Sequence, residues 1–194
     1  MEGLDDFLAP DFSAPLDAEA RIAMAPADGW VRGMFFQDPI ALARERTGRY
    51  PGLGRYAGFK SYPLRDYLRV LVGCAELAYP GVPLREGLRR LGHLAYPAFV
   101  ASTIGRVIFS VAGDWIAALR LASQAYRVAV NPGRVSIREE APGYAIAELR
   151  SMWSFAEAYQ VGIFEGAMKA FGKSGDVRVK VISTSEVDLL LTWR

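Results

Sequence analysis

The sequence predicts an α+β domain: a helical N-terminal half, then a small antiparallel sheet of about four strands with one helix packed on it. Three observations carry this. Leu64, Tyr67, Leu68, Leu71, Val72 and Ala75 follow the i, i+3, i+4, i+7 spacing of an amphipathic helix. Val177, Val179 and Val181 alternate with Arg178 and Lys180, and Leu189, Leu191 and Trp193 alternate again, which is the period of a strand with one buried face. Between these regions Asn131-Pro132-Gly133 and Pro142-Gly143 punctuate two further short extended runs.

In chain order, residues 1–29 hold Pro10, Pro15 and Pro26 among alanines and aspartates and read as an extended arm, with room for one short strand near Arg21–Met24. Residues 30–194 read as one domain. Asp38-Pro39 has the form of an N-cap followed by proline at the first helical position, and Gly48 ends that helix. Residues 49–61, with Pro51, Gly52, Gly54 and Gly58, form a loop. The helix of residues 61–78 stops at Tyr79-Pro80-Gly81. Leu84, Leu88, Leu91, Ala95 and Phe99 mark the next, in which Pro97 removes a hydrogen bond and bends the chain. Asp114 caps a helix carrying Ile116, Leu119, Leu121 and Tyr126. Strands follow at about 134–139 and 144–150. A helix beginning at Phe155 carries Gly162 and Gly166, whose missing side chains allow close approach to the sheet. Hairpins separated by one helix share a sheet.

Composition excludes several functions. The chain has 194 residues, 52% of them hydrophobic, and a mean hydropathy of +0.11, enough to bury a large core. A net charge of +2 with scattered arginines lacks the clustered basic face that nucleic acid requires. The apolar run Val107–Ala112 is stopped by Asp114, so no segment reaches the roughly 18 apolar residues of a membrane span. Met1–Asp11 is acidic and is not a secretory leader. One cysteine, Cys74, permits no intrachain disulfide and agrees with a cytoplasmic location.

Catalytic constellations are scarce. His93 is the only histidine, so a Ser–His–Asp triad or a neutral-pH base would depend on it alone. His93 and Cys74 lie far apart in sequence, against a transition-metal site. Cys74 sits in an apolar helix, as a small buried hydrophobe does. Glu139-Glu140 are adjacent at a hairpin end and solvated, not a catalytic carboxylate pair. The expectation is a non-enzymatic module. Pro97 opens a gap near His93, between the helices and the sheet, which either holds a ligand or is filled by Tyr96, Phe99 and Trp153. The candidate pocket residues are His93, Tyr96, Phe99, Arg106, Tyr126 and Trp153, with Arg106 placed to neutralise an anionic head on an otherwise apolar ligand.

Four stretches carry a resemblance: Trp30–Phe36, Leu88–Gly92, Tyr159–Met168 and Leu189–Trp193. Together they resemble a myxobacterial paralogous family of unknown function over about residues 28–194. The layout is also similar to the group that contains heme-nitric-oxide-binding domains, the vinyl-reductase-type ligand domain and small subunits of the TRAPP complex. That resemblance implies a helical half before a small sheet, a cavity between them, and a habit of pairing, here as a homodimer or with a partner protein. Heme-binding members use a histidine on the helix matching about 114–128 and a Tyr-x-Ser-x-Arg motif. Here the first stretch has no histidine and Glu148–Ser154 lacks the motif, so no cofactor is expected. The two readings are a protein-interaction or regulatory module and a small-molecule or lipid sensor without heme.

Overall fold

A computed structural model describes residues 4–109 and 112–194, apart from the side chains of Ile104, Ile108, Phe109, Glu139 and Glu140. The side chains of the Glu139-Glu140 pair, whose solvation the sequence reading expects, part of the apolar run Val107–Ala112 and the first residues of the acidic N-terminus therefore lie outside what the structure describes.

The N-terminal arm is not extended throughout. A turn of 3-10 helix, Leu4–Asp6, precedes Phe7, and helix α1 spans Ala18–Met24, where a strand was expected. Asp17 explains the difference: its carboxylate accepts from the Ala20 N–H at 2.9 Å, ahead of the helix-favouring run Ala18-Glu19-Ala20. Strand β1, Trp30–Arg32, leads into α2, Met34–Thr47. This helix starts before Asp38, so Pro39 lies inside it and not at its first position. Gly48 ends it with a left-handed φ of 69°.

Strand β2, Ser61–Pro63, delivers the chain to α3, Leu64–Ala78, and α4, Leu84–Ala101, which contains Pro97. A short α5, Thr103–Phe109, follows, and Val107 is exposed on it. Helix α6, Trp115–Ala129, begins where Asp114 accepts from the Ala117 N–H at 2.8 Å, as the sequence predicts. It runs into β3, Val130–Asn131, which pairs with β1; the order β2-β1-β3 makes a small ladder among the helices.

The main sheet holds β4, Arg134–Ala141; β5, Tyr144–Arg150; β6, Gly175–Ser183; and β7, Glu186–Trp193. It is antiparallel, in the order β4-β5-β7-β6, so the two hairpins do share one sheet. Between them the chain makes a π-helical turn, Ala156–Gln160, and then α7, Val161–Ala170.

Two cores result. One joins α2, α3 and α4 around Phe36, Leu68, Leu71, Leu88 and Leu91. The other lies between the sheet's inner face (Val135, Leu149, Leu189, Leu191) and α6 and α7, through Leu119, Val161 and Phe164. On the outer face of the sheet Phe7 buries itself against Ile146 and Leu190, and Leu8 exchanges two backbone hydrogen bonds with Val179 of β6. The fold is therefore α+β, with α6 and α7 packed on one side of the main sheet.

Candidate ligand cavity

Helix α6 turns an unusually small face inward. Ala118, Ala122, Ala125 and Ala129 recur at i, i+4, i+7 and i+11, one stripe of an α-helix. Methyl side chains cannot fill the space that α4 and α7 leave opposite, and a cavity of about 100 Å³ remains. Its other walls include Tyr96 and Phe99 from α4 and Phe164 and Ala167 from α7. Ser154, Tyr159 and Gln160 close one side.

The segment that carries those three residues is conformationally costly. Ser151 and Phe155 adopt left-handed φ values of 52° and 50° without being glycine, and the π-helical turn follows at once. Each such residue costs on the order of 1–3 kcal/mol and persists only where its surroundings impose it. Here the Met152 N–H donates to the Ser185 carbonyl at 2.7 Å, and Phe155 is fully buried. Glu157 fixes the turn from outside: it meets Arg21 at 2.9 Å and Arg85 at 3.1 Å, tying α1 and α4 to it.

Most polar groups of the cavity wall answer one another, the Trp115 indole N–H being an exception. Tyr67 and Tyr159 hydroxyls hydrogen-bond at 2.7 Å. The Tyr126 hydroxyl donates to Gln160 Oε1, and Gln160 Nε2 donates to Ser154 Oγ at 2.6 Å. Burial pushes the Tyr67, Tyr126 and Tyr159 hydroxyls well above the usual tyrosine range, and pushes Tyr96 up to about 12, so all four are neutral phenols at physiological pH. No charged side chain lines the cavity among the described residues.

Three of the six residues expected in a pocket, Tyr96, Phe99 and Tyr126, meet here. His93 does not: it leaves α4 on another side, where its Nε2 meets Glu165 Oε2 at 2.8 Å with the side chain 40% exposed. Arg106 is exposed on α5 and is not part of the cavity wall, because α5 turns it to solvent; the anionic head assigned to it has no cation to meet there. Trp153 is half-buried against the α2–α3–α4 core. Sequence reasoning missed Trp115 as a wall residue, together with Tyr67, Ser154, Tyr159 and Gln160; the alanine stripe of α6 is the signal that could have found the place.

The glycines of α7 face α4, not the sheet as expected. A Cβ on Gly162 would lie 2.0 Å from the Arg89 carbonyl oxygen, one on Gly166 2.9 Å from that of His93, and one on Gly92 2.2 Å from that of Tyr159. Helix-to-helix contact, backbone on backbone, is what these positions require.

This arrangement of helices and sheet is the H-NOX fold. The chain is similar to an H-NOX protein from K. algicida in its Fe(II) unliganded state, with 13% identity, 84% of this chain and 96% of that one covered, and a TM-score of 0.57. An H-NOX protein from S. oneidensis in the Fe(II)NO state matches with 11% identity, 84% and 99% coverage and a TM-score of 0.62. An oxygen-binding H-NOX domain related to soluble guanylate cyclases matches with 16% identity, 84% and 92% coverage and a TM-score of 0.60. By sequence the chain belongs to DUF2378, a family of proteins of unknown function, whose pattern matches residues 28–194. No curated protein matches it.

The fold family raises the question of heme, and this cavity does not fit one. Among the described residues no histidine, cysteine or methionine lines it. The single histidine is engaged with Glu165 elsewhere, and Cys74 is buried in the α2–α3–α4 core with its thiol pushed up to about 12. The tyrosines that could ligate iron are held as neutral phenols, the wrong form for a ligand. Among the described residues no three metal-binding side chains gather, and no helix is long and apolar enough to cross a membrane.

Proposed function

We propose that this protein is a cytoplasmic, non-enzymatic sensor module that takes a small, largely apolar molecule, without heme, into the cavity between α4, α6 and α7. The observation that carries the reading is the cavity itself: a space of about 100 Å³ walled mainly by aromatic and alanine side chains, with no charged group among the described lining residues. An apolar cavity of about 150 Å³, somewhat larger than this one, accepts benzene. The solved structures of similar fold include nitric-oxide and oxygen complexes, which supports a small-molecule role for this layout. No nucleophile–base pair surrounds the cavity among the described residues, since Ser154 is bonded to an amide and His93 lies outside it. That supports a binding role over catalysis.

Toluene is a direct probe. At saturation it should raise the thermal midpoint, and native mass spectrometry of freshly purified protein should show a retained small molecule. No shift and no retained mass would overturn the reading.

A protein-interaction role has one observation in its favour. β6 is an edge strand, and beyond the contact with Leu8 its Val181 and Ile182 are largely exposed, as is Leu8. Light scattering at micromolar concentration should give twice the 21.3 kDa chain mass, and Val181→Lys should halve it. A wild-type monomer would remove self-pairing from consideration.

A further inference from the structure

We infer that the guest of the α4–α6–α7 cavity is a neutral molecule presenting one hydrogen-bond acceptor, such as a ketone, ether or ester oxygen, to the indole N–H of Trp115. The inference rests on the cavity reading above and specifies the class of ligand. Trp115 lines the cavity, is 3% exposed, and its Nε1 has no hydrogen-bond partner among the described residues. A buried donor without an acceptor costs free energy, and native structures rarely leave one without a reason. The wall supplies no remedy. Tyr67 is paired with Tyr159, and Tyr126, Gln160 and Ser154 are bonded in series.

The chemistry of the missing partner follows from the donor. Indole nitrogen donates and does not accept, so the guest must accept. A carboxylate or phosphate would accept too, but with no charged side chain in the wall a single N–H would have to replace its whole hydration shell. An ammonium group would find no anion. A neutral oxygen needs one donor and leaves the rest of the molecule apolar, which is what the alanine and aromatic walls accommodate. The donor is also held in place: the Trp115 ring meets Trp193 edge-on at 5.9 Å and Phe171 at 6.1 Å. A cavity near 100 Å³ limits the guest to about six to eight heavy atoms.

The test compares cyclohexane, cyclohexanone and cyclopentanecarboxylate on the full chain. Four tryptophans give four indole N–H signals in a nitrogen-15 correlation spectrum, and Trp115→Phe identifies its own by loss. Cyclohexanone should move the Trp115 signal downfield, cyclohexane should not, and the ketone should bind about three- to tenfold more tightly. In Trp115→Phe the two affinities should become equal. Should that variant fail to fold, Trp30→Phe, Trp153→Phe and Trp193→Phe assign the other three signals, and the wild-type shift of the remaining one still decides. Equal binding of ketone and hydrocarbon with an unmoved indole signal overturns the acceptor inference and leaves the apolar cavity standing. Preferred binding of the carboxylate overturns neutrality. If none of the three binds, the cavity reading falls with the inference.

Discussion

Helices α4 and α7 meet along two stretches that are filled in opposite ways. Around Arg89, Gly92 and His93 they touch backbone to backbone, through Gly162 and Gly166, with no room for even one methyl group. A few residues on, from Ala95 to Phe99, the same two helices and α6 stand around an unfilled space. The contrast shows where this fold is fixed and where it can vary. At the seam the relative position of the helices is set by main-chain atoms, which have no rotamers to adjust. At the cavity it is set by side chains, which can move and can be replaced. A fold that holds its helices at one end and leaves space at the other can change its guest without changing its architecture.

The largest effect is therefore expected at the seam. Gly162→Ala places a Cβ 2.0 Å from a main-chain oxygen that cannot move without shifting α4. The variant should lose about 3 kcal/mol in denaturant unfolding, near the upper end for overpacking. Gly166→Ala should lose clearly less, since its Cβ would stop 2.9 Å from the nearest oxygen. Equal losses at the two positions would mean that the seam relaxes as a body and that the contrast with the cavity is false.

A smaller effect comes from the polar clamp beside the glycines. Glu165 of α7 takes the Arg89 guanidinium at 2.7 Å and His93 at 2.8 Å, both from α4. Burial alone would raise the Glu165 pKa, but the hydrogen bonds from His93 and Arg89 outweigh it and hold the carboxyl below its ordinary value. A depressed folded-state pKa contributes stability above the unfolded value, near 4.5, and that contribution is lost as pH falls through the lower folded value. Glu165→Gln should cost about 1–2 kcal/mol at neutral pH, modest because His93 is partly exposed. The difference from wild type should shrink as pH drops below about 4.5. A constant difference across that range would assign the loss to packing.

These two regions were not equally legible in the sequence. The strands and α3 were, because a buried face writes itself as a period of 2 or 3.6. The short pieces were not. The seven residues of α1 sit between prolines and carry only Asp17 as a signal, while Pro39 imitates a helix start from inside α2. Gly162 and Gly166 announced a close contact but not its partner, since nothing local distinguishes a helix from a sheet as the surface approached. Half of the expected pocket residues fell on the cavity wall. Arg106 and His93 were chosen for their chemistry, and chemistry does not report direction: α5 and the clamp with Glu165 turn them away. Trp115 looked like any core tryptophan, because an unmet hydrogen bond is a property of the assembled fold.

The smallest change in stability is expected where the volume change is largest. Ala118 belongs to the cavity wall and to the small-residue face of α6. Ala118→Leu adds three carbons, which at the seam would be ruinous. Facing a space of about 100 Å³ they have somewhere to go. Leucine also suits a helix, and its added methylenes gain burial worth about 0.8 kcal/mol each if they fit without strain. The fit will be imperfect, so the net change should stay within about 1 kcal/mol of zero in either direction. Binding should behave differently, because the leucine occupies the volume the guest needs, and toluene should no longer raise the thermal midpoint. A stability-neutral variant that has lost the ligand response would separate the two regions by experiment. A loss of about 3 kcal/mol at Ala118, as large as at Gly162, would show that the cavity is as tightly determined as the seam and that no guest of this size enters it.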